Sequence, residues 1–405
     1  MSMATPSMVG VKAAVIGTGF IGTVHSEAVR RVGAELSGVL SSGRDSTAAA
    51  AKRLGTRPFG SLDELLSSDV DVVHVASPNA LHSSHSLAAL KAGKHVICEK
   101  PMAVGLEEAE DMQKAATESG LVAALCYNQR FYPQLHQAAE LVATGGIGEP
   151  HLIHGRYLQD WLLLKTDWNW RLDPALAGPL RAVADIGSHW LDAAQFILGS
   201  PIVEVYAELH TLHMERLRPT AGGTTFSSAS RGGANLVSVT SDDSASILLH
   251  FANGCRGSVL ISQVAAGHKN LMDLEVDGTR ASLQWNSQEP DVLVHGRRDH
   301  GNIVTLREPA TLLPGAQAVT FYPGGHVEGF GETFRGLFER VYTDVVGGGP
   351  SPTPAYPTFA DGRQALAIEA AISRSSASGR WAPVPVTTPE LGIPHRAVPA
   401  QAGRK

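Results

Sequence analysis

Val11-Lys12-Ala13-Ala14-Val15-Ile16-Gly17-Thr18-Gly19-Phe20-Ile21-Gly22 is the stretch on which the reading of this chain turns. Val11 to Ile16 has the apolar, β-branched character of a buried strand, and it runs straight into G-x-G-x-x-G. A helical segment extends from there to about Val32, so the glycines lie between a strand and a helix, the setting that gives the motif meaning. Gly17 would allow the tight turn, Gly19 would let a pyrophosphate approach the backbone, and Gly22 would let helix and strand pack closely. The N–H groups of Phe20 and Ile21, at the helix start, would face the phosphates. A dinucleotide-binding unit is expected, with a plain strand–helix turn as the alternative. His25, further along the helix, reads as a packing or surface residue.

Working outward, Glu35 to Leu40 reads as a second strand ending in Ser41-Ser42-Gly43-Arg44. A site selective for NAD normally has Asp or Glu here to hold the ribose 2′-hydroxyl. None stands at this strand tip. Arg44 and the hydroxyls of Ser41 and Ser42 suit a 2′-phosphate, so the loop leans from NAD toward NADP. The competing reading has Arg44 solvated and Asp45 opening the next helix. Strands at Arg57–Phe59, Val70–Ala76, His95–Glu99 and Leu121–Cys126 then alternate with helical segments, among them one opened by Ser61-x-x-Glu64, a capping box. The whole is the pattern of a doubly wound parallel sheet.

One of those strands ends oddly. His95-Val96-Ile97-Cys98 is followed by Glu99-Lys100-Pro101, a charged pair and a residue that cannot continue the ladder. An unpaired ammonium is costly to bury. The carboxyl ends of the strands are also where ligands bind in such sheets, so Lys100 is placed for chemistry.

Composition bounds the rest. A chain of 405 residues predicts two or three domains. With 43% hydrophobic and 18% charged residues it reads as an ordinary globular protein. A formal net charge of −6 argues against a nucleic-acid or anionic-membrane surface. Cys98, Cys126 and Cys255 are isolated and match no metal or redox spacing, so no metal site is expected and a reducing, cytoplasmic compartment is. Met1 to Gly10 lacks the basic segment and apolar core of a signal peptide and reads as a disordered terminus. No apolar run approaches the roughly 20 residues that span a bilayer.

After Cys126 the character changes. A helix is expected to about Thr144, then alternating strands at 151–159, 201–211, 235–240, 245–251, 255–264, 271–277, 280–285 and 291–295, the makings of one large, mostly antiparallel sheet. Ser188 to Leu198 interrupts them as a helix, Met214 to Asn235 reads as a loop, and Val327–Val346 and Ala360–Ser375 read as helices. The division expected is 1–10 terminus, 11–128 dinucleotide-binding domain, 129–381 second α+β domain and 382–405 loose tail.

Two constellations accompany Lys100. Asp185-Ile186-Gly187-Ser188-His189 sets a carboxylate and an imidazole four residues apart, which on a helix brings them to one face. There the carboxylate could orient the imidazole for proton transfer; an N-terminal acid beside a core histidine is the bland alternative. Tyr157-Leu158-Gln159-Asp160-Trp161 and Trp168-Asn169-Trp170-Arg171 place three of the six tryptophans within ten residues, interleaved with polar side chains. Flat rings edged by hydrogen-bonding groups suit a sugar, and a packed core could also explain them.

Taken together, Gly17–Gly22, Ser77-Pro78-Asn79 with His82, Glu99-Lys100-Pro101, Asn128 with Arg130, and Asp185 to His189 resemble the Gfo/Idh/MocA family of oxidoreductases. The resemblance runs from Val11 to about Trp381, and Tyr157 to Trp161 is similar to the anhydrosugar- and pyranoside-oxidising branch. It implies an N-terminal Rossmann domain, a C-terminal domain with an open antiparallel sheet, and dimers or tetramers joined through those sheets. It also implies cofactor contacts from Ser77, Asn79, His82, Glu99, Lys100 and Asn128, with Lys100, Asp185 and His189 as the catalytic groups. Arg130, Tyr157, Asp160, Trp161, Trp170 and Arg171 would join these three around the substrate. Many members have a glycine cluster before the Asp; Gly178-Pro179-Leu180-Arg181-Ala182 departs from it, and Arg181 could add a charge near the site. The function expected is NAD(P)-dependent oxidation of a sugar or cyclitol hydroxyl. A nucleotide-binding sensor without turnover, or a glycosidase or isomerase cycling a retained NAD, are the alternatives.

Overall fold

The computed structural model describes residues 8–220 and 234–386. Parts of three expectations lie outside them: the start of the N-terminal stretch, most of the 214–235 loop, and the tail beyond residue 386. Helices and strands alternate first as β1 (Lys12–Ile16), α1 (Phe20–Arg31), β2 (Glu35–Leu40), α2 (Arg44–Leu54), β3 (Arg57–Pro58), α3 (Leu62–Leu66), β4 (Val72–Val75), α4 (His82–Lys91), β5 (His95–Cys98), α5 (Leu106–Ser119) and β6 (Ala123–Leu125). All strand pairs are parallel, in the order β3-β2-β1-β4-β5-β6. The order reverses between β1 and β4, which opens a crevice at their carboxyl ends, where a dinucleotide binds in such sheets. The central strands are buried on both faces, which explains their unbroken apolar sequences. Ser61 caps α3 through a bond from the Glu64 N–H at 3.1 Å, as its spacing predicts.

After α6 (Pro133–Ala143) the chain enters β7 (Pro150–Leu158), α7 (Pro174–Ala177), a π-helical turn at Val183–Gly187 and α8 (Ser188–Leu198). Then come β8 (Ile202–His210), β9 (Glu215–Pro219), β10 (Ala234–Ser238), β11 (Ser244–Phe251), β12 (Arg256–Ser262), β13 (Leu271–Gly278), β14 (Ser282–Asn286), β15 (Val292–Gly296) and β16 (Ile303–Leu306). Helices α9 (Pro314–Gln317), α10 (Phe330–Val346) and α11 (Phe359–Ser378) precede a short β17 (Ala382–Pro383). The large sheet has nine strands in the order β16-β15-β14-β13-β7-β12-β11-β8-β17, with β7–β12 its parallel pair. It is the mostly antiparallel sheet expected from the sequence.

Several expectations are corrected. The strand read at 235–240 pairs with β9 in a separate two-stranded ribbon, so part of the expected loop is strand. β16 and β17 were not foreseen, being short, exposed or proline-bearing edge strands. Met8 is buried in the first domain's core, and Val384 in the second's, so neither terminus is loose up to those points. α10 packs into the core around β1 and α1, and the Leu125 N–H donates to the Pro357 carbonyl at 2.8 Å. The C-terminal part of the chain therefore returns to the first sheet, and the expected cut at residue 128 does not separate two independent cores.

Candidate active site

The β1–α1 turn is built to bring backbone close to a ligand. Gly17 has φ +92°, and a Cβ there would stand 2.2 Å from the Ala76 carbonyl oxygen. A Cβ on Gly22 would meet the Gly17 oxygen at 1.8 Å, which is how closely α1 lies against the turn. Gly19 differs: nothing lies within 4 Å of its Cβ position, and it opens α1 as an N-cap without a side-chain bond. Phe20, Ile21 and Gly22 form the first turn, where helix N–H groups lack intrahelical acceptors. This turn fits a dinucleotide pyrophosphate. At the next strand tip Thr18 Oγ1 donates to Ser41 Oγ at 3.1 Å, Ser42 is exposed, and Arg44 is the exposed first residue of α2.

The neighbouring loops are cross-tied. His82 is buried, with Nδ1 2.7 Å from the Pro101 carbonyl and Nε2 2.8 Å from that of Ser77. It therefore joins the loop after β4 to the one after β5. Ser77 Oγ is 3.0 Å from His85 Nδ1, and Asn79 Nδ2 donates to the Ala177 carbonyl at 3.1 Å. Asn128 Nδ2 donates to Thr333 Oγ1 at 2.8 Å. Glu99 is 3.0 Å from His25 Nε2 and accepts from the Lys100 N–H at 3.1 Å. Burial alone would raise its carboxyl; His25, and then Lys100, hold it down to about 2. His25 is accordingly a buried partner of Glu99, in keeping with its reading as a packing residue.

Lys100 and Asp185 meet across the two domains. The Lys100 ammonium donates to the Asp185 main-chain oxygen at 2.6 Å and to Oδ1 at 3.1 Å. Arg171 Nε reaches the same Oδ1 at 2.9 Å, and Gln263 Nε2 reaches Oδ2 at 2.7 Å. Burial opposes the charge on Asp185, but Arg171 and Lys100 outweigh it and keep the carboxyl well below the usual carboxylate range. His189 lies on α8 one turn further on, packed edge-on against Tyr127 at 5.6 Å between ring centroids. Burial first, and the Lys100 charge second, push its imidazole down to about 3, so it is neutral near pH 7.

The expected Asp185–His189 pairing is corrected. Asp185 is engaged with Lys100, Arg171 and Gln263, and His189 Nδ1 has no hydrogen-bond partner among the described residues. Asp185 sits in the π-helical turn at Val183–Gly187 and His189 in the first turn of α8, and the carboxylate turns to Lys100, Arg171 and Gln263 instead of the imidazole. The Arg130 substrate contact is corrected too. Its guanidinium is buried, bonded to Asp192 at 2.7 and 2.5 Å and to Asp361 at 2.8 Å, and serves to join α8 and α11.

The aromatic segment is partly packing and partly site. Leu162, Leu172 and Val239 form a small cluster of their own, against which Trp161 and Trp168 pack. Trp161 Nε1 donates to Gln159 Oε1 at 2.6 Å, and Gln159 Nε2 and the Tyr157 hydroxyl both donate to Asn270 Oδ1 at 2.9 Å. Tyr157 also lies beside His189, with ring centroids 6.5 Å apart. Asp160 accepts from Lys269 at 2.8 Å, and the Arg171 guanidinium stacks on Trp170 at 4.5 Å. The Arg181 side chain is buried and meets the site through Gln263, whose Oε1 accepts from its Nη1 at 2.8 Å, while its main-chain oxygen accepts from the Asp185 N–H at 2.7 Å. Gln263 and Asn270 were missed because polar residues at strand ends carry no sequence signal of what they face.

Residues 11–127 match the oxidoreductase family with an NAD-binding Rossmann fold, and residues 135–284 match the GFO/IDH/MocA C-terminal domain. Levoglucosan dehydrogenase of Pseudarthrobacter phenanthrenivorans is 31% identical over 401 residues, covering 93% of this chain and 99% of that protein. A solved levoglucosan dehydrogenase in its apo form superposes with a TM-score of 0.86 at 30% identity, over 94% of this chain and 100% of that one. The complex of levoglucosan dehydrogenase with NADH and levoglucosan gives 0.82 at 30%, over 93% and 99%. D-glucoside 3-dehydrogenase of Escherichia coli is 36% identical over 200 residues, 48% of this chain and 56% of that protein. With both of its domains matched and its fold shared over nearly the whole length, the chain belongs to the Gfo/Idh/MocA family of NAD(P)-dependent oxidoreductases.

Proposed function

We propose that this oxidoreductase oxidises a secondary hydroxyl of a sugar, glycoside, anhydrosugar or cyclitol, with Lys100, Asp185 and His189 as its catalytic groups. The observation that carries the reading is the meeting of Lys100, Arg171 and Asp185 beside neutral His189, at the foot of a segment bearing Tyr157, Trp161 and Trp170. Bound nicotinamide supplies the acceptor for the hydride leaving the carbinol carbon. Gly17, Gly19, Phe20, Ile21 and Gly22 hold the pyrophosphate, and the loops at Ser77–Asn79, Glu99–Lys100 and Asn128 border the rest of the cofactor.

Lys100, its ammonium having first given a proton to solvent, takes the hydroxyl proton as the carbonyl forms. Asp185 then stabilises the resulting ammonium. His189 donates a hydrogen bond to the same oxygen. Its environment resists a second proton, which argues for Lys100 rather than His189 as the acceptor. Arg171 keeps Asp185 ionised and orients it. Asp160, Trp161 and Trp170 border the sugar.

Ser41, Ser42 and Arg44 support a preference for NADP over NAD. Three buried free thiols suit the cytoplasm. Tyr206 and Leu248 pair across β8 and β11, with Leu260 beside them on β12, all exposed on the large sheet. They support a homodimer or homotetramer formed through that face. The test of activity is absorbance at 340 nm with NAD⁺ and NADP⁺ against a panel of inositols, glucosides and anhydrosugars. Reduction with at least one of them is expected; cofactor binding without reduction throughout would leave a sensor, and product without net reduction a redox-cycling enzyme.

A further inference from the structure

Asp185 is gripped from the substrate side by Lys100 and Arg171, but its second oxygen is held from behind. Gln263, wholly buried just beyond the end of β12, donates from Nε2 to Asp185 Oδ2 at 2.7 Å. Its own amide cannot flip, because Oε1 accepts from Arg181 Nη1 at 2.8 Å. Arg181 in turn bonds Asp243, and so does Arg216, at 2.7 Å. All four side chains are within 1% of full burial. Asp243 Oδ2 accepts from the N–H groups of Leu212 and His213, so neither of its oxygens is idle. Arg216 closes the assembly by donating from Nη1 to the carbonyls of Leu162 and Leu164, in the segment that carries Trp161, Trp170 and Arg171. The neighbouring Asp242 binds the N–H groups of Arg181 and Val183 at 2.6 and 2.8 Å, which pins the start of the π turn bearing Asp185.

A buried ion cluster of this kind is weak evidence for stability, since desolvating three charges offsets much of their attraction. Its connections suggest another purpose. We propose that Gln263 is a positioning residue for the reaction: locked by the Arg181–Asp243–Arg216 cluster, it fixes the Asp185 carboxylate so that Oδ1 faces Lys100, and it ties that geometry to the aromatic segment over the substrate. The cluster thereby couples the proton-transfer end of the site to the substrate-binding end. Outer hydrogen-bond partners of this type hold reacting groups to within fractions of an ångström. The inference rests on the reading of Lys100 and Asp185 as the reacting groups.

The titratable and charged groups that face Lys100 are Asp185 and, through it, Arg171 from the second domain, His189 on α8, Glu369 on α11, and Glu99 and His82 from the first sheet, with the Cys126 thiol nearby. Gln263 acts on one of these alone, Asp185. Gln263→Met keeps length and neutrality but leaves Asp185 Oδ2 without its donor. Gln263→Glu keeps Arg181's acceptor and the side-chain shape, which guards the fold, and adds a negative charge that favours the protonated amine.

The experiment is the pH profile of kcat/KM for sugar oxidation in wild type and both variants, with NAD⁺ affinity measured by titration. For Gln263→Met a loss of about 10²-fold in kcat is expected, with the NAD⁺ dissociation constant within about twofold of wild type. For Gln263→Glu the rising limb of the profile is expected to move up by about one pH unit. Activity of Gln263→Met close to wild type overturns the proposal, and so does a loss equal at every pH in both variants with the limb unmoved. If the wild type oxidises no sugar, the functional reading fails instead. A crystal structure of Gln263→Met then still decides the positioning role, since a turned Asp185 carboxylate supports it and an unmoved one overturns it.

Discussion

The Lys100 ammonium is bonded to Asp185 at two points, the main-chain oxygen at 2.6 Å and the carboxylate Oδ1 at 3.1 Å. The main-chain bond places the amine, and the carboxylate supplies its counter-charge. These two effects separate on mutation. In Asp185→Asn the amine keeps its main-chain acceptor but loses its counter-charge, so the rising limb of the pH–rate profile for oxidation is expected to move to lower pH. Lys100→Ala and His189→Ala each remove a group proposed to act on the substrate hydroxyl, and each should lower kcat by about 10²-fold or more with NAD⁺ affinity largely kept. Initial rates across pH 6 to 10 with titrated cofactor check all three; near-wild-type turnover in both alanine variants would remove the mechanism.

Cofactor choice turns on the β2–α2 loop. Arg44 is exposed at the first position of α2, beside the exposed Ser42 and the half-buried Ser41. A charge-assisted bond to a 2′-phosphate contributes about 1.5 kcal/mol or more. Arg44→Ala should therefore weaken NADP⁺ by about tenfold and leave NAD⁺ almost unchanged, as read by fluorescence titration of both. Equal affinities for NADP⁺ before and after the change would show that Arg44 does not touch the phosphate.

The glycines of the first turn have distinct duties that substitution can tell apart. Gly17 combines φ +92° with a Cβ position 2.2 Å from a carbonyl oxygen, so Gly17→Ala strains the backbone and should lower the melting temperature. Gly19 has φ −69° and open space around it, so alanine fits the fold but fills the room a pyrophosphate needs. Gly19→Ala should melt like wild type and bind NAD⁺ at least tenfold more weakly. Differential scanning calorimetry with cofactor titration gives both readouts.

The fold was legible wherever a strand or helix announces itself locally. Val11–Gly22, the apolar run before Lys100 and the alternation through β11 and β12 carry periodicity that survives without knowledge of neighbours. Ser188 to Leu198 was placed correctly as a helix, yet the π turn before it was not, because nothing in Val183–Gly187 distinguishes five-residue closure from four. Asp185 was parted from His189 by partners from distant segments, Lys100, Arg171 and Gln263, which no local pattern announces. Charge at a site was legible and its partner was not: Arg130 and Arg171 look alike in sequence, and only the fold sends one to Asp192 and Asp361 and the other to Asp185.

Arg130 makes that contrast measurable. Removing its guanidinium leaves two carboxylates, Asp192 and Asp361, buried without their cation. Breaking a buried ion pair from one side costs about 3–5 kcal/mol. Arg130→Leu is thus expected to lower the unfolding free energy by that order in a urea titration. The fraction that stays folded should keep the KM for sugar within about twofold; a large rise in KM at unchanged stability would restore Arg130 to the substrate.

Glu369 gives the fold a dependence on pH that can be read apart from activity. Burial pushes its carboxyl up to about 8, with Asp242 adding to the rise and Lys100 opposing it. One of its oxygens, Oε1, has no hydrogen-bond partner among the described residues. Between about pH 4.5 and 8 the folded chain therefore holds a proton there that the unfolded chain releases. Stability contributed by this group is full below the unfolded value and is lost as pH rises through the folded one. At about 1.4 kcal/mol per unit, the loss amounts to about 3–5 kcal/mol across that window. Glu369→Gln keeps the neutral shape at every pH, so its melting temperature should fall less than that of wild type between pH 5 and pH 8.5. Parallel curves for the two proteins would mean that Glu369 is ionised in the folded state, with its charge met by Lys100.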